Sequence, residues 1–268
     1  MGFLSTLVAE VRAGLAVDPL DEVALRSAAG QAPRARSLAE TIRAHADEDG
    51  VAVIAEVKRA SPSAGVIAGS VDPVAQALAY DRAASAISVL TEPNHFGGSL
   101  DDLRAIRAAA RHPVLRKDFL VHPTQVLEAR AAGADSILLI AASLDDDELA
   151  AMLSSSRDLG MEPLVETQSD EDLRRALEIG ADVIGVNARD LESLDVDVAS
   201  ALERLHGIPD GRIAVLESGI GSRDEVAAAV DAGASAVLVG EALMRAPDPG
   251  RLIDDLIDGV RRRREVTS

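Results

Sequence analysis

Two lysines, Lys58 and Lys117, stand against twenty-five arginines in this chain. Arginine stays protonated at any working pH, whereas a lysine ammonium can give up and regain a proton. A chain that fills its other cationic positions with arginine marks those two lysines as candidates for proton transfer. Three glutamates sit in similar company: Glu56 lies two residues before Lys58, and Glu166 and Glu217 each close a short apolar run, as the RKDF string does with Lys117. Any one of these carboxylates alone is as consistent with a salt bridge as with chemistry. Three carboxylates and two ammonium groups gathered in one place would split one another's proton affinities and supply an acid and a base near neutral pH.

Other chemistries find little support. The chain has no cysteine, which removes disulfides, thiol catalysis and Cys-ligated zinc and fits a cytoplasmic protein. His45, His95, His112, His122 and His206 are scattered without ligand spacing and read as surface or loop residues, so no metal and no cofactor is expected. A net charge of −18 argues against a nucleic-acid backbone or an anionic membrane as partner. No apolar run is long enough to span a bilayer, and the N-terminal MGFLSTLVAEVRAG lacks a signal-peptide pattern.

The elements that must carry these residues are legible as period and punctuation. Eight β-type runs rich in Val, Ile and Leu occupy 51–57, 86–90, 113–116, 136–140, 162–166, 182–187, 213–217 and 236–240. Consecutive apolar residues are expected of strands covered on both faces. Amphipathic stretches lie between them, opening on Pro, Asp or Ser and often closing on Gly. The strings AAGADSILLI, EIGADVIGV and DAGASAVLV repeat one helix-to-strand connection around Gly133, Gly180 and Gly233. No Gly-rich dinucleotide turn follows the first run, which disfavours a doubly wound open sheet. Eight βα units predict an α/β fold, a (β/α)8 TIM barrel, with residues 1–47 as an N-terminal helical extension (helices near 2–14, 22–30 and 35–47) and 1–268 as a single domain.

Barrel chemistry gathers at the C-terminal strand ends. Those ends carry Glu56, Lys58 and Ser61; Thr91 and Glu92; Arg116, Lys117 and Asp118; Glu166; Asn187 and Arg189; Glu217 and Ser218; and Gly240 and Glu241. Gly219 and Gly221, then Gly240 before a short helical run, suggest backbone N–H groups arranged for a phosphate. Aromatic residues are few: three Phe, one Tyr and no Trp. Phe96 and Phe119 follow the second and third strands and would either pack on the N-terminal helices or wall an aromatic substrate ring.

The strings IAEVKRASPS, SVLTE with FGGSLDDL, VLRKDFLV, LLIAASL, PLVET, IGVNARDL, ESGI and VGEALM closely resemble the indole-3-glycerol phosphate synthase family of tryptophan biosynthesis, in every βα unit from about residue 48 to 250. The resemblance implies a carboxy-lyase that converts 1-(2-carboxyphenylamino)-1-deoxyribulose 5-phosphate to indole-3-glycerol phosphate, releasing CO2 and water. It implies Lys117 as general acid at the ribulose carbonyl, with its proton affinity moderately lowered. Glu166 would be the acid–base partner for dehydration, and Glu56 would stabilise the cationic intermediate and position the amine and Lys58. Lys58, Asn187 and Arg189 would orient the substrate, Ser61 would contact it, and Glu217 and Ser218 would complete the polar rim. Gly219, Gly240 and the N–H of Glu241 would hold the phosphate.

Two positions depart from the family: Ala64 and Gln168 stand where lysine and histidine are frequent. The partner is then a small anionic phosphorylated aromatic substrate. Two other readings remain. Phosphoribosylanthranilate isomerase uses a Cys–Asp pair that this chain cannot form. A barrel that merely binds an anion would not line its mouth with carboxylates. Oligomeric state is not encoded in any motif, and a monomer is the expected form.

Overall fold

The structure, a computed structural model, describes residues 2–69 and 71–267, with side chains of the last helix as far as Arg261. Three helices come first: α1 (Phe3–Val17), α2 (Glu22–Gln31) and α3 (Leu38–Asp49). Eight strands follow: β1 (Ala52–Val57), β2 (Ala86–Leu90), β3 (Val114–Lys117), β4 (Ser136–Ile140), β5 (Leu164–Thr167), β6 (Val183–Asn187), β7 (Ile213–Glu217) and β8 (Ala236–Val239). Between them lie α4 (Pro73–Tyr80), α5 (Leu100–Ala109), α6 (Pro123–Ala131), α7 (Asp146–Asp158), α8 (Asp170–Glu178), α9 (Val198–Leu205) and α10 (Arg223–Asp231). After β8 come the short α11 (Glu241–Arg245) and α12 (Pro249–Thr267). Every strand pairs in parallel with the next, and β1 pairs with both β2 and β8, so the sheet closes into the expected eight-stranded barrel.

Helix starts are held as the sequence suggests. Asp21, Ser37, Asp72, Ser99, Asp145, Ser169 and Ser222 each accept a backbone N–H of the first turn. The one-residue shift of β3 makes Lys117 the last residue of its strand rather than the residue after it. The segment read as loop after β1 contains a minimal antiparallel hairpin, Ala60–Ser61 with Gly65–Val66.

Side chains alternate across a strand with a period of two, and this parity builds the site. Ala52, Ile54, Ala86, Leu115, Leu138, Leu164, Val183, Ile213, Val215 and Ala236 share one apolar cluster inside the barrel. Continuing the same parity toward the C-terminal ends reaches Glu56 on β1, Lys117 on β3, Glu166 on β5 and Glu217 on β7. In such barrels a layer of inward side chains comes from alternate strands. Here the topmost odd-strand layer is made of charges.

The N-terminal helices cap both ends. Leu38, Ala39 and Ile42 of α3 are buried in the interior cluster, and the Ala39 N–H donates to Glu162 just ahead of β5, so α3 plugs the N-terminal end. At the opposite end, α1 docks on the loop after β6 through Phe3 N–H to Glu192 O (3.1 Å) and Leu4 N–H to Leu191 O (3.0 Å).

Candidate active site

The C-terminal mouth opens into a cavity of about 650 Å3. Glu56, Lys58, Ser61, Phe96, Lys117, Phe119, Glu166, Asn187, Arg189, Glu217, Ser218, Gly219, Gly240 and Glu241 all line it together with Asp118, whereas Thr91, Glu92 and Arg116 are not part of its lining. Lys117 lies between two carboxylates, with Nζ 2.7 Å from Glu217 Oε2 and 3.3 Å from Glu166 Oε2. Its side chain is 16 % exposed, against 1 % for each glutamate. A second pair, Lys58 Nζ to Glu56 Oε1, closes at 2.7 Å.

Two carboxylate oxygens in this layer, Glu56 Oε2 and Glu217 Oε1, are buried without any hydrogen-bond donor. Leaving a buried charged acceptor unpaired is costly. A glycine on β6 and one just after β8 make room for the carboxylates. A Cβ at Gly185 would come within 2.2 Å of Glu217 Oε1, and one at Gly240 within 2.5 Å of Glu56 Oε1 and 3.2 Å of Lys58 Nζ. Gly240 thus lets Lys58 sit against the start of α11.

The electrostatics follow from counting charges in a dry space. Three carboxylates against two ammonium groups leave one negative charge too many, and burial favours taking up a proton. Burial is the main force that pushes Glu217 up to about 7. The charges of Glu166 and Glu56 push the same way, and Lys117 opposes them. Lys117 corrects the expectation. Burial alone would lower its proton affinity, as anticipated, but the charges of Glu217, Glu166 and Glu56 outweigh burial and raise it above the ordinary lysine value. The group brought near neutrality is Glu217, which the sequence reading had placed on the rim.

Outward-facing neighbours brace the layer. Arg116 is buried and donates to Thr91 Oγ1 (3.2 Å), Asp118 Oδ2 (2.8 Å) and Glu128 Oε2 (2.8 Å), tying the end of β3 to the end of β2 and to α6. Glu92 accepts the N–H groups of Asn94, His95 and Phe96, and that turn presents the Phe96 ring to the mouth. Ser61 Oγ accepts Ala64 N–H at 3.1 Å and shapes the hairpin. Asn187 Oδ1 accepts the Arg189 N–H at 2.9 Å, and the Arg189 guanidinium donates to Leu194 O at 2.8 Å. Ser218 and Gly219 both adopt left-handed backbone, with φ of 66° and 73°. Strain at a non-glycine residue such as Ser218 is typical of functional turns.

The aromatic wall is larger than expected. Phe3 of α1 joins Phe96 and Phe119, with ring centroids 6.5 Å from each, and those two rings lie 5.9 Å apart. Phe96 and Phe119 thus pack on the N-terminal helix, as one reading expects, and they also line the cavity. Leu90, Leu138, Ile140, Leu191 and Leu238 add apolar lining. Phe3 was missed because nothing local to MGFLSTL reveals where its helix docks. His95 packs edge-on against Phe3 (5.4 Å), His45 against His112 (5.6 Å), and His122 caps α6. Among the described residues no group of three or more acidic or histidine side chains is placed to hold a metal ion, and no helix is long and apolar enough to cross a membrane.

A closed (β/α)8 barrel with a charged acid–base layer beneath an aromatic wall defines a barrel enzyme. Comparison with known proteins narrows the class. The family model for indole-3-glycerol phosphate synthase matches residues 4–256. The chain is 49 % identical over 250 residues to the indole-3-glycerol phosphate synthase of Mycolicibacterium smegmatis, covering 93 % of this chain and 90 % of that one. It is 46 % identical over 261 residues to the synthase of Rhodococcus jostii, covering 96 % of each. A solved 3-hexulose-6-phosphate synthase shares the fold, with a TM-score of 0.61 at 17 % identity over 78 % of this chain and 99 % of that one. The chain belongs to the indole-3-glycerol phosphate synthase family. It is accordingly a carboxy-lyase of tryptophan biosynthesis.

Proposed function

We propose that the layer formed by Glu56, Lys117, Glu166 and Glu217 carries out the family's ring closure, decarboxylation and dehydration by proton transfer alone. The observation that supports this most is Lys117 held between Glu166 and Glu217 inside the aromatic-walled cavity. In the first step the aromatic carbon bearing the carboxylate attacks the ribulose ketone carbon, and the ketone oxygen takes the Lys117 proton to become a hydroxyl. The bond to the carboxylate then breaks, CO2 leaves, and its electron pair restores the ring. In the dehydration the hydroxyl leaves as water on receiving a proton while the neighbouring carbon gives one up. Glu166 serves this exchange, which needs no net proton.

The raised proton affinity of Lys117 fits a group that enters the cycle charged but must be loosened before it acts. Glu217 supplies the adjustment. When Glu217 holds a proton, Lys117 loses its nearest counter-charge. The unpartnered Glu56 Oε2 and Glu217 Oε1 are acceptors for the substrate's amine and hydroxyl donors. Lys58, Ser61, Asn187, Arg189 and Ser218 orient the substrate, while Phe3, Phe96 and Phe119 face its benzene ring. Gly219, Gly240 and the Glu241 N–H bind the phosphate, with Lys58 beside Gly240 adding charge at that end. In this reading the chain acts as a cytoplasmic monomer, and residues 1–47 serve as an extension of a single domain.

Incubation of purified protein with 1-(2-carboxyphenylamino)-1-deoxyribulose 5-phosphate, followed by indole fluorescence, tests this. Indole-3-glycerol phosphate forms with EDTA present. A reaction abolished by EDTA and restored by a divalent ion overturns the proton-only mechanism.

A further inference from the structure

Gln168 follows β5 directly, and its side chain bridges two residues of the mouth. Its side-chain Nε2 donates to Glu166 Oε1 at 3.2 Å, and its Oε1 accepts the N–H of Leu191 at 3.1 Å. The opposite orientation of the amide would set a carbonyl against a carboxylate and an NH2 against an N–H, losing both contacts, so the chemistry allows only this one. The backbone at Gln168 is held in turn, its N–H donating to Asp172 Oδ2 in the capping box that opens α8.

Glu166 therefore differs from its neighbours in the layer. Its Oε2 pairs with Lys117 and its Oε1 with Gln168, whereas Glu56 and Glu217 each keep one oxygen without a partner. Once Lys117 has passed its proton to substrate, the neutral amide is the donor still holding Glu166. The other half of Gln168 reaches the substrate wall. Leu191 lines the cavity, its carbonyl accepts the Leu4 N–H, and the next residue's carbonyl accepts the N–H of Phe3, whose ring forms part of the aromatic wall.

We propose that Gln168 is a positioning residue that aligns the Glu166 carboxylate and, through Leu191, ties that alignment to the seating of the loop after β6 and of α1 over the mouth. The proposal rests on the role given to Glu166 above. Because an amide does not titrate, the link works at any pH at which the protein folds.

The test separates the two ends of the amide by steady-state kinetics, pH profiles of kcat and thermal melts. In Gln168→Leu both contacts go, and kcat falls about 10-fold to 100-fold, the scale of a misaligned reacting group, with KM rising as well. In Gln168→Glu an oxygen remains for Leu191 N–H but the donor to Glu166 is replaced by a like charge. KM then stays near wild type while kcat falls and its acid limb moves to higher pH. A merely structural role would lower the melting temperature of both variants without splitting kcat from KM or moving the pH profile, and that result overturns the proposal. Glu166→Gln measured in the same series keeps the two claims apart. An inactive Glu166→Gln beside folded Gln168 variants of wild-type kcat and pH profile overturns the positioning role alone. An active Glu166→Gln overturns the role of Glu166 and, with it, any action of Gln168 through it.

Discussion

Both ends of this barrel bury carboxylates, and they treat them in opposite ways. At the N-terminal end Asp135 is fully buried, and both its oxygens are taken. Arg36 N–H reaches Oδ1 at 2.8 Å, while Arg36 Nε and Val114 N–H reach Oδ2 at 2.9 Å each, and Arg107 completes the ion pair. At the C-terminal mouth, Glu56 and Glu217 are as deeply buried, yet each keeps an oxygen with no donor. The first arrangement welds the segment before α3 to the barrel floor. The second leaves acceptors open, and in the proposed mechanism these meet the substrate's donors. A buried carboxylate thus marks chemistry by the partners it lacks rather than by its burial, since structural ion networks bury charge equally well.

Substitutions at the two ends put that contrast at risk. The largest effect is expected at the mouth. Glu166→Gln lowers kcat by about 10²- to 10⁴-fold with little change in KM, the range for a lost proton-transfer group. The melting temperature moves little. A variant with near-wild-type kcat would reduce Glu166 to a structural residue.

Asp135→Asn should do the reverse. It leaves Arg36 and Arg107 with an uncompensated buried charge and destabilises the fold by about 3 kcal/mol or more. Denaturant melts measure that loss, and kcat at low temperature stays within about twofold of wild type, because the floor takes no part in turnover. A large drop in kcat with unchanged stability would erase the distinction between the two ends.

The third effect is smaller and depends on pH. Glu217 holds its proton up to about 7 in the folded protein, above its ordinary carboxyl value. A carboxyl raised in this way contributes stability that is present below the unfolded value and is lost as pH rises through about 7. Glu217→Gln removes the group, so its melting temperature relative to wild type should increase between pH 5 and pH 8. The kcat/KM profile, which reports the free enzyme, should bend near pH 7 in wild type and lose that bend in this variant. Parallel melting curves for the two proteins across that range would mean that Glu217 titrates as an ordinary carboxylate. His112, whose proton affinity burial lowers, shifts stability in the opposite sense in both proteins and cancels in the difference.

Much of the mouth was readable in advance because a parallel barrel converts order along the chain into position. Runs such as VAVIAEV and IAVLE announce strands, and a period of two carries Glu56 and Glu217 inward once their strands are placed. Lys117 and Glu166 were legible as strand-end residues, and the scarcity of lysine marked Lys117 further. What escaped depends on contacts between distant segments. Phe3 belongs to the wall only because α1 crosses to the loop after β6, and the bonds to Leu191 and Glu192 that place it leave no mark near residue 3. Gln168 is legible in the sequence only as a departure from the family, because the contacts of its amide with Glu166 and Leu191 join separate segments. The proton affinity of Lys117 was misjudged in direction because burial can be read from a strand end. The number of carboxylates that reach the ammonium cannot be read in that way.

The central claim is that Lys117 acts by passing its proton and not merely by being charged. Steady-state kinetics of Lys117→Arg on the carboxyphenylamino ribulose phosphate, with a thermal melt as folding control, tests it most directly. The guanidinium keeps the charge between Glu166 and Glu217 but does not give up a proton at working pH. The predicted result is a folded protein with kcat reduced on the order of 10²-fold or more. A folded Lys117→Arg protein with wild-type kcat would contradict the claim.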